Sequence, residues 1–98
     1  MAIEVRIPTI LRTYTDGERA VESQGGTVAE LVESLESAHA GIKDRLVEAK
    51  DDGLAVRRFV NVYVNDEDIR FTGGLDTALS DGDTVVILPA VAGGARTA

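Results

Sequence analysis

The chain has 98 residues, is 44% hydrophobic but only 4% aromatic, carries a formal charge of −7 and contains no cysteine. That length holds one core and not two, and 17 acidic against 10 basic side chains oppose binding to nucleic acid or to an anionic membrane through phosphates. Without cysteine, disulfides, thiolate catalysis, zinc ribbons and iron–sulfur ligation are excluded.

Ile3, Val5 and Ile7 alternate with Glu4 and Arg6, the period of a half-buried strand, and Pro8 ends it by removing a ladder donor. Tyr14-Thr15-Asp16-Gly17 has turn chemistry, and extended character over 18–23 predicts a hairpin with the first strand. Gly25-Gly26 breaks the chain before Thr27 and Glu30, which form a capping box. Behind that box Val28, Leu31, Val32 and Leu35 recur at helical spacing, predicting an amphipathic helix over 27–40 with Glu30, Glu33, Glu36 and Ser37 left to water and Gly41 as the stop.

Ile42, Leu46 and Val47 suggest one more short helical turn, followed by a polar loop at 50–53. Residues 59–64 read as a strand with Val60, Val62 and Val64 on one face and Phe59, Asn61 and Tyr63 on the other. A turn at 65–68, a brief strand at 69–71, a single helical turn within 75–79 and a tight connection at 81–83 follow. Val85, Val86, Ile87 and Leu88 make the last strand, apolar on both sides. One helix covers only one face of a sheet. Either a loop folds over the second face or that face is open and apolar, which marks an interaction surface.

The motifs separate into those with a backbone explanation and one without. Gly25-Gly26 precedes a helix cap and Gly73-Gly74 follows a strand, whereas Gly93-Gly94 follows Pro89-Ala90-Val91-Ala92 with no element beyond it that needs a turn. Fully extended, residues 89–94 span roughly 20 Å, enough to enter another protein's active site. Two residues without Cβ suit an enzyme that grips a chain end in a narrow channel, although chain ends are also commonly small and disordered. His39, the one histidine, has no second histidine or cysteine to share a metal and no nucleophile to activate, so a solvated or capping role is expected. The carboxylates at 65–68 and 81–83 do not fit a calcium loop and read as turns. Arg57 and Arg58 read as solvated or paired with nearby acids. No phosphate loop, dinucleotide fingerprint or catalytic pair is present, so the chain is not expected to be an enzyme or to bind a nucleotide. The start has neither a basic nor an apolar signal region and no apolar run approaches the ~20 residues of a membrane span, which makes the cytoplasm the expected compartment.

The element order and the terminal diglycine resemble the β-grasp, ubiquitin-like sulfur carriers, the family of the molybdopterin-synthase small subunit and the thiazole-pathway carrier. The likeness is carried by Ile7-Pro8-Thr9-Ile10-Leu11-Arg12, by residues 58–71, by Gly73-Gly74-Leu75 with Asp81-Gly82-Asp83, and by Ile87-Leu88-Pro89-Ala90-Val91-Ala92-Gly93-Gly94. It is strongest to the cysteine-biosynthesis branch. The resemblance implies an α+β fold, a mixed sheet of four to five strands covered on one face by one main helix, over residues 1–89, with a flexible tail at 90–94. It implies that the Gly94 carboxylate is adenylated by a ubiquitin-activating-like adenylyltransferase/sulfurtransferase using ATP and converted to a thiocarboxylate, with Val91, Ala92, Gly93 and Gly94 in the partner's channel. A pyridoxal-phosphate-dependent cysteine synthase then takes the sulfur and a metal-dependent protease of the JAMM type releases cysteine; the chain itself binds no cofactor. Members typically end at the diglycine, whereas Ala95, Arg96, Thr97 and Ala98 follow here, so cleavage between Gly94 and Ala95 is expected. The alternatives are a carrier for molybdopterin or thiazole synthesis, a ubiquitin-like protein modifier, and a ubiquitin-like binding module that keeps its last four residues.

Overall fold

A computed structural model describes residues 2–50, 53–58 and 60–89. Strand β1 (Ile3–Arg6) sends Ile3 and Val5, both wholly buried, to the core and turns Glu4 and Arg6 outward, where the two pair at 3.2 Å. Strand β2 (Ala20–Ser23) returns antiparallel to it, with Arg6 opposite Ala20 and Ile3 opposite Ser23. The hairpin is therefore present, but its connection is longer than a turn. Thr9–Thr15 coils into a 3₁₀ segment that buries Leu11, and the reversal falls at Asp16 and Gly17, both at positive φ. Thr15 is wholly buried in this loop and its hydroxyl donates to the Glu18 carbonyl at 2.9 Å, so a polar side chain is satisfied locally.

Helix α1 (Val28–Ala38) buries Val28, Leu31, Val32 and Leu35 against the sheet. The hydroxyl oxygen of Thr27 accepts from the Glu30 N–H at 3.3 Å, and Glu30 Oε1 accepts from the Gly26 N–H at 2.7 Å. The capping box is real, with its return bond one residue earlier than in the standard motif. The Val28 N–H bonds the Thr77 carbonyl and the Leu79 N–H bonds the Gly26 carbonyl, which fixes the helix start on the later chain. The helix ends at Ala38, two residues short of its predicted end at residue 40, with His39 as its C-terminal cap. Helix α2 (Lys43–Leu46) is the expected short turn, and Ile42 and Leu46 enter the core.

Next comes an element the apolar pattern does not announce. Strands β3 (Val47–Lys50) and β4 (Gly53–Val56) form a separate antiparallel pair, where sequence suggests only a loop at 50–53. Strand β5 (Val60–Val64) places Val62 and Val64 inward; Phe59, predicted as its first residue, lies outside the described residues. The turn after it is only Asn65 and Asp66, both left-handed, and Glu67–Asp68 is the short strand β6. Ile69–Phe71 is a 3₁₀ turn and not the predicted strand, because the Asp68 carboxylate accepts the Arg70 N–H at 2.9 Å and caps it. A second 3₁₀ turn spans Gly74–Asp76.

Strand β7 (Thr84–Pro89) lies parallel to β1 and antiparallel to β5, giving a five-stranded mixed sheet in the order β2-β1-β7-β5-β6. One mixed sheet with its last strand central and one main helix across it is the β-grasp arrangement. The helix-side face is the core. Burial of each Leu, Ile or Val there contributes about 1.5–3 kcal/mol.

The entry into α1 depends on a glycine. Gly25 has φ +155° and a Cβ built there falls 2.6 Å from the Leu31 backbone nitrogen. At Gly26 the added atom meets only the movable end of the Glu30 side chain, at 3.2 Å. Gly25→Ala is expected to cost about 1–3 kcal/mol from backbone strain and crowding, and Gly26→Ala much less; urea unfolding of the two variants checks the ranking.

Candidate functional site

The expected tail residues Val91, Ala92, Gly93, Gly94 and Ala95 lie outside the described residues. The structure describes the strand that leads to them and the surface around its end. Pro89, the last described residue, stands opposite Val60 on β5. β7 lies between β1 and β5, but its pairing with β1 stops at Val86, so its last residues, Ile87 to Pro89, are held by β5 alone.

Two surfaces meet there. The first is the sheet face away from α1. Val85 and Ile87 point into the core, while Val86 is half-buried and Leu88 is 44% exposed, so the second face of β7 is the open one of the two alternatives. Tyr63 lies beside Val86 on β5. Polar groups flank this apolar strip: Glu4 and Arg6 on β1, and a cluster on the other side in which Arg70 donates to Asn61 Oδ1 and pairs with Asp68 at 3.0 Å. The Arg70 hydrogen bond holds the Asp68 carboxyl below its ordinary range.

The second surface is a groove of about 550 Å³ at the end of β7, lined by Ile10, Tyr14, Arg45, Arg57, Leu88 and Pro89 among others. Arg45 Nε donates to the Tyr14 hydroxyl at 2.8 Å, and the guanidinium carbon lies 5.9 Å from the ring centroid. Arg57 is held by its Nε bond to the Asp44 carbonyl at 2.6 Å and by Glu48 at 3.6 Å, the pairing with an acid that sequence suggests. The Tyr14–Arg45 pair joins residues 31 apart, and no sequence motif marks it.

The base of the groove is buttressed from α1. Glu36, expected to face water, reaches past the helix end: its Oε1 and Oε2 accept the Gly41 N–H at 3.1 and 3.0 Å, and Oε1 accepts the Lys43 N–H at 2.9 Å. At the far end of β7 the two expected carboxylate turns are pins. Asn65 Nδ2 donates to Asp83 at 2.9 Å, Asn65 Oδ1 accepts the Thr84 N–H at 3.0 Å, and Asp83 accepts the Ser80 N–H at 2.8 Å. Among the described residues no three His, Cys, Asp or Glu side chains gather as a metal site, and no helix is long and apolar enough to cross a membrane.

Fold and surface together define a small ubiquitin-like domain whose final strand delivers the chain beside an apolar sheet face. The ThiS family model matches residues 5–94, and the chain belongs to the ThiS family. It is 52% identical over 94 residues to the sulfur carrier protein CysO of Mycobacterium tuberculosis strain H37Rv, covering 96% of this chain and 100% of that protein. It is 43% identical over 97 residues to the small archaeal modifier protein 3 of Haloferax volcanii, covering 96% and 100% respectively. Among solved structures, the Amycolatopsis orientalis BexX/CysO complex contains a chain that matches with a TM-score of 0.86 and 59% identity, covering 95% of this chain and 100% of that one. Proteins of this type are small carriers and not enzymes.

The Glu36 clamp sets a pH dependence. Its carboxyl is held below the ordinary 4.5, first by the Gly41 N–H and then by that of Lys43. A depressed folded value means that the contribution to stability is complete above the ordinary carboxyl range and is lost as pH falls through the folded value. Thermal melts from about pH 6 down to about pH 3 are expected to show a smaller loss of stability for Glu36→Gln than for the unaltered chain. Asp68 and Asp83, also held low, leave a residual slope.

Proposed function

We propose that this chain is a sulfur carrier for cysteine biosynthesis, working in the cytoplasm and loaded at Gly94 after residues 95–98 are removed. The observation that carries the reading is the extent of the family match. It runs to residue 94, the second glycine, and the alignment with the mycobacterial carrier takes 94 residues to cover the whole of that protein. In this reading residues 1–89 are the folded body, 90–94 the tail and 95–98 a segment removed by cleavage between Gly94 and Ala95.

The chemistry needs little from the body. One oxygen of the freed Gly94 carboxylate attacks the α-phosphorus of ATP in the activating enzyme, forming the acyl adenylate and expelling pyrophosphate. A sulfur nucleophile then forms the C–S bond as the C–O bond to AMP breaks, leaving a thiocarboxylate. Val91, Ala92 and Gly93 occupy the enzyme's channel, where small side chains allow close approach of backbone. The acceptor is a pyridoxal-phosphate-dependent cysteine synthase, and a metal-dependent protease releases the product. ATP and pyridoxal phosphate belong to those partners.

The body supplies docking. Val86, Tyr63 and Leu88 form an apolar strip next to the point where the chain leaves the sheet, and a related carrier was crystallised in a complex with BexX. The likeness to an archaeal modifier protein favours a second reading, ligation of the same terminus to lysines of other proteins. Both use Gly94; they differ in whether an amine or sulfur receives the acyl group.

Intact mass of the chain expressed with its activating enzyme and protease tests the reading. The expected species ends at Gly94 with one oxygen exchanged for sulfur, and Gly94→Ala lowers loading on the order of 100-fold through misplacement of the reacting carbon, without a change in melting temperature. Retention of residues 95–98 in the loaded state overturns the cleavage step, and isopeptide adducts without thiocarboxylate select the modifier. Tyr63→Ala is expected to weaken binding to the activating enzyme about tenfold in titration calorimetry.

A further inference from the structure

The groove at the end of β7 holds a feature that tail chemistry and apolar docking leave unused. Arg45 is tied to Tyr14 through Nε alone, and its two terminal nitrogens make no hydrogen bond among the described residues. A guanidinium anchored on one edge presents the other as a planar fork, the geometry that binds a carboxylate through two parallel bonds.

This arginine is held in place from beneath. Tyr14 packs so closely on Gly41 that a Cβ there would lie 3.0 Å from its ring. The Gly41 N–H is in turn bound by both oxygens of Glu36 from α1. A line of contacts thus runs from helix to Gly41 to Tyr14 to Arg45. A solvated surface arginine needs no such support.

The surroundings indicate what the fork receives. Arg57 places a second guanidinium in the same groove, and Ile10, 67% exposed, stands with Leu88 as uncovered apolar surface beside the two charges. Two guanidiniums in one groove, only that of Arg57 paired with an acid among the described residues, give it a local positive potential that suits an acidic group on a partner, on a chain that carries −7 as a whole. Pro89 and Leu88 line the groove, so it adjoins the point where the described chain ends.

We propose that this groove receives an Asp or Glu of the activating enzyme, its carboxylate bound by the free fork of Arg45 and an adjoining apolar side chain seated on Ile10 and Leu88. The inference rests on the carrier reading and adds to it the chemistry of the partner's contact. Arg45 is a docking residue, and Tyr14 positions it.

The test uses the chain ending at Gly94 with the activating enzyme, read as ATP–pyrophosphate exchange against carrier concentration. Arg45→Glu is expected to raise KM about tenfold or more with kcat little changed, since docking and not chemistry is altered. Arg45→Lys keeps the charge but loses the fork and falls between. Tyr14→Phe keeps the ring on Gly41, removes the anchoring oxygen and raises KM a few-fold, which maintains the test should Arg45→Glu fold poorly. Zero-length carbodiimide cross-linking of Arg45→Lys to the enzyme, followed by peptide mapping, is expected to join position 45 to an Asp or Glu. Exchange with an unchanged KM in Arg45→Glu and Tyr14→Phe overturns the groove inference alone. No exchange with the unaltered chain overturns the carrier reading and this inference with it.

Discussion

Everything else in this domain is arranged around the insertion of β7 between β1 and β5. The first strand has a partner on only one side until the last strand arrives, so the sheet closes only when residues some 80 positions apart in sequence meet. The closure is specified at both ends of the contact. Val85 and Ile87 add the apolar surface that completes the core under α1. The turn before β7 is bolted to the start of β1 by the bonds of the Ala2 N–H to Asp81, the Gly82 N–H to the Ala2 carbonyl and the Glu4 N–H to the Asp83 carbonyl. Asn65 ties the same turn to β5. Long-range parallel pairing carries a loop-closure cost that local contacts do not, and these polar pins fix the register once it is met. The consequence for function is positional. The chain leaves from a strand whose first half is paired on both sides and whose last three residues run on along β5 alone.

A second constraint follows from having one long helix. It covers one face, and the β3–β4 pair adds to the cover near the 3₁₀ turn at Gly74–Asp76 without reaching the other. The face away from α1 keeps the outer residues of β7 and β5 only half-buried, ringed by Glu4, Arg6, Asp68 and Arg70. A small apolar strip with a charged rim has the anatomy of a docking patch, and here it sits beside the chain exit because the strand that ends there also supplies its centre.

How much of this was legible in the sequence depended on what each segment had to encode. Strands β1, β5 and β7 and helix α1 bury a continuous face, so their periods of two and 3.6 appear directly in Ile3 and Val5, in Val62 and Val64, and in Val28, Leu31, Val32 and Leu35. The β3–β4 pair meets the core only at its one end, through buried Val47 and its half-buried partner Val56, and a pattern that short does not stand out from a loop. Residues 69–71 mix Ile and Phe like a strand, but Phe71 is exposed and the Asp68 cap bends the backbone, a side-chain effect that periodicity does not register. The expectation of a tail rests on the resemblance of Ile87 through Gly94 to a family of carriers, whereas the groove arises from Tyr14 and Arg45 meeting across the fold. The polar face of α1 predicts a solvated Glu36, but its carboxylate finds the N–H groups just beyond the helix end.

The distribution of supports bears on how tightly such a body holds its partners. Val86 and Tyr63 are already partly covered by their neighbours, so a partner removes from water only the remainder of their surface. The apolar gain is correspondingly modest, and association must still overcome the loss of translational and rotational freedom. The proposed function, in which the body passes among several enzymes, needs that balance, since a large dry interface of the obligate kind would trap it on the first. Specificity then has to come from something other than area. Charges at the rim change encounter and register more than total affinity, and a guanidinium held ready by Tyr14 avoids part of the side-chain entropy that ordering a free arginine would cost. In the proposed function the apolar strip, the groove and the tail divide the work: adhesion weak enough to release, a charged contact that fixes orientation, and a terminus that carries the reactive atom.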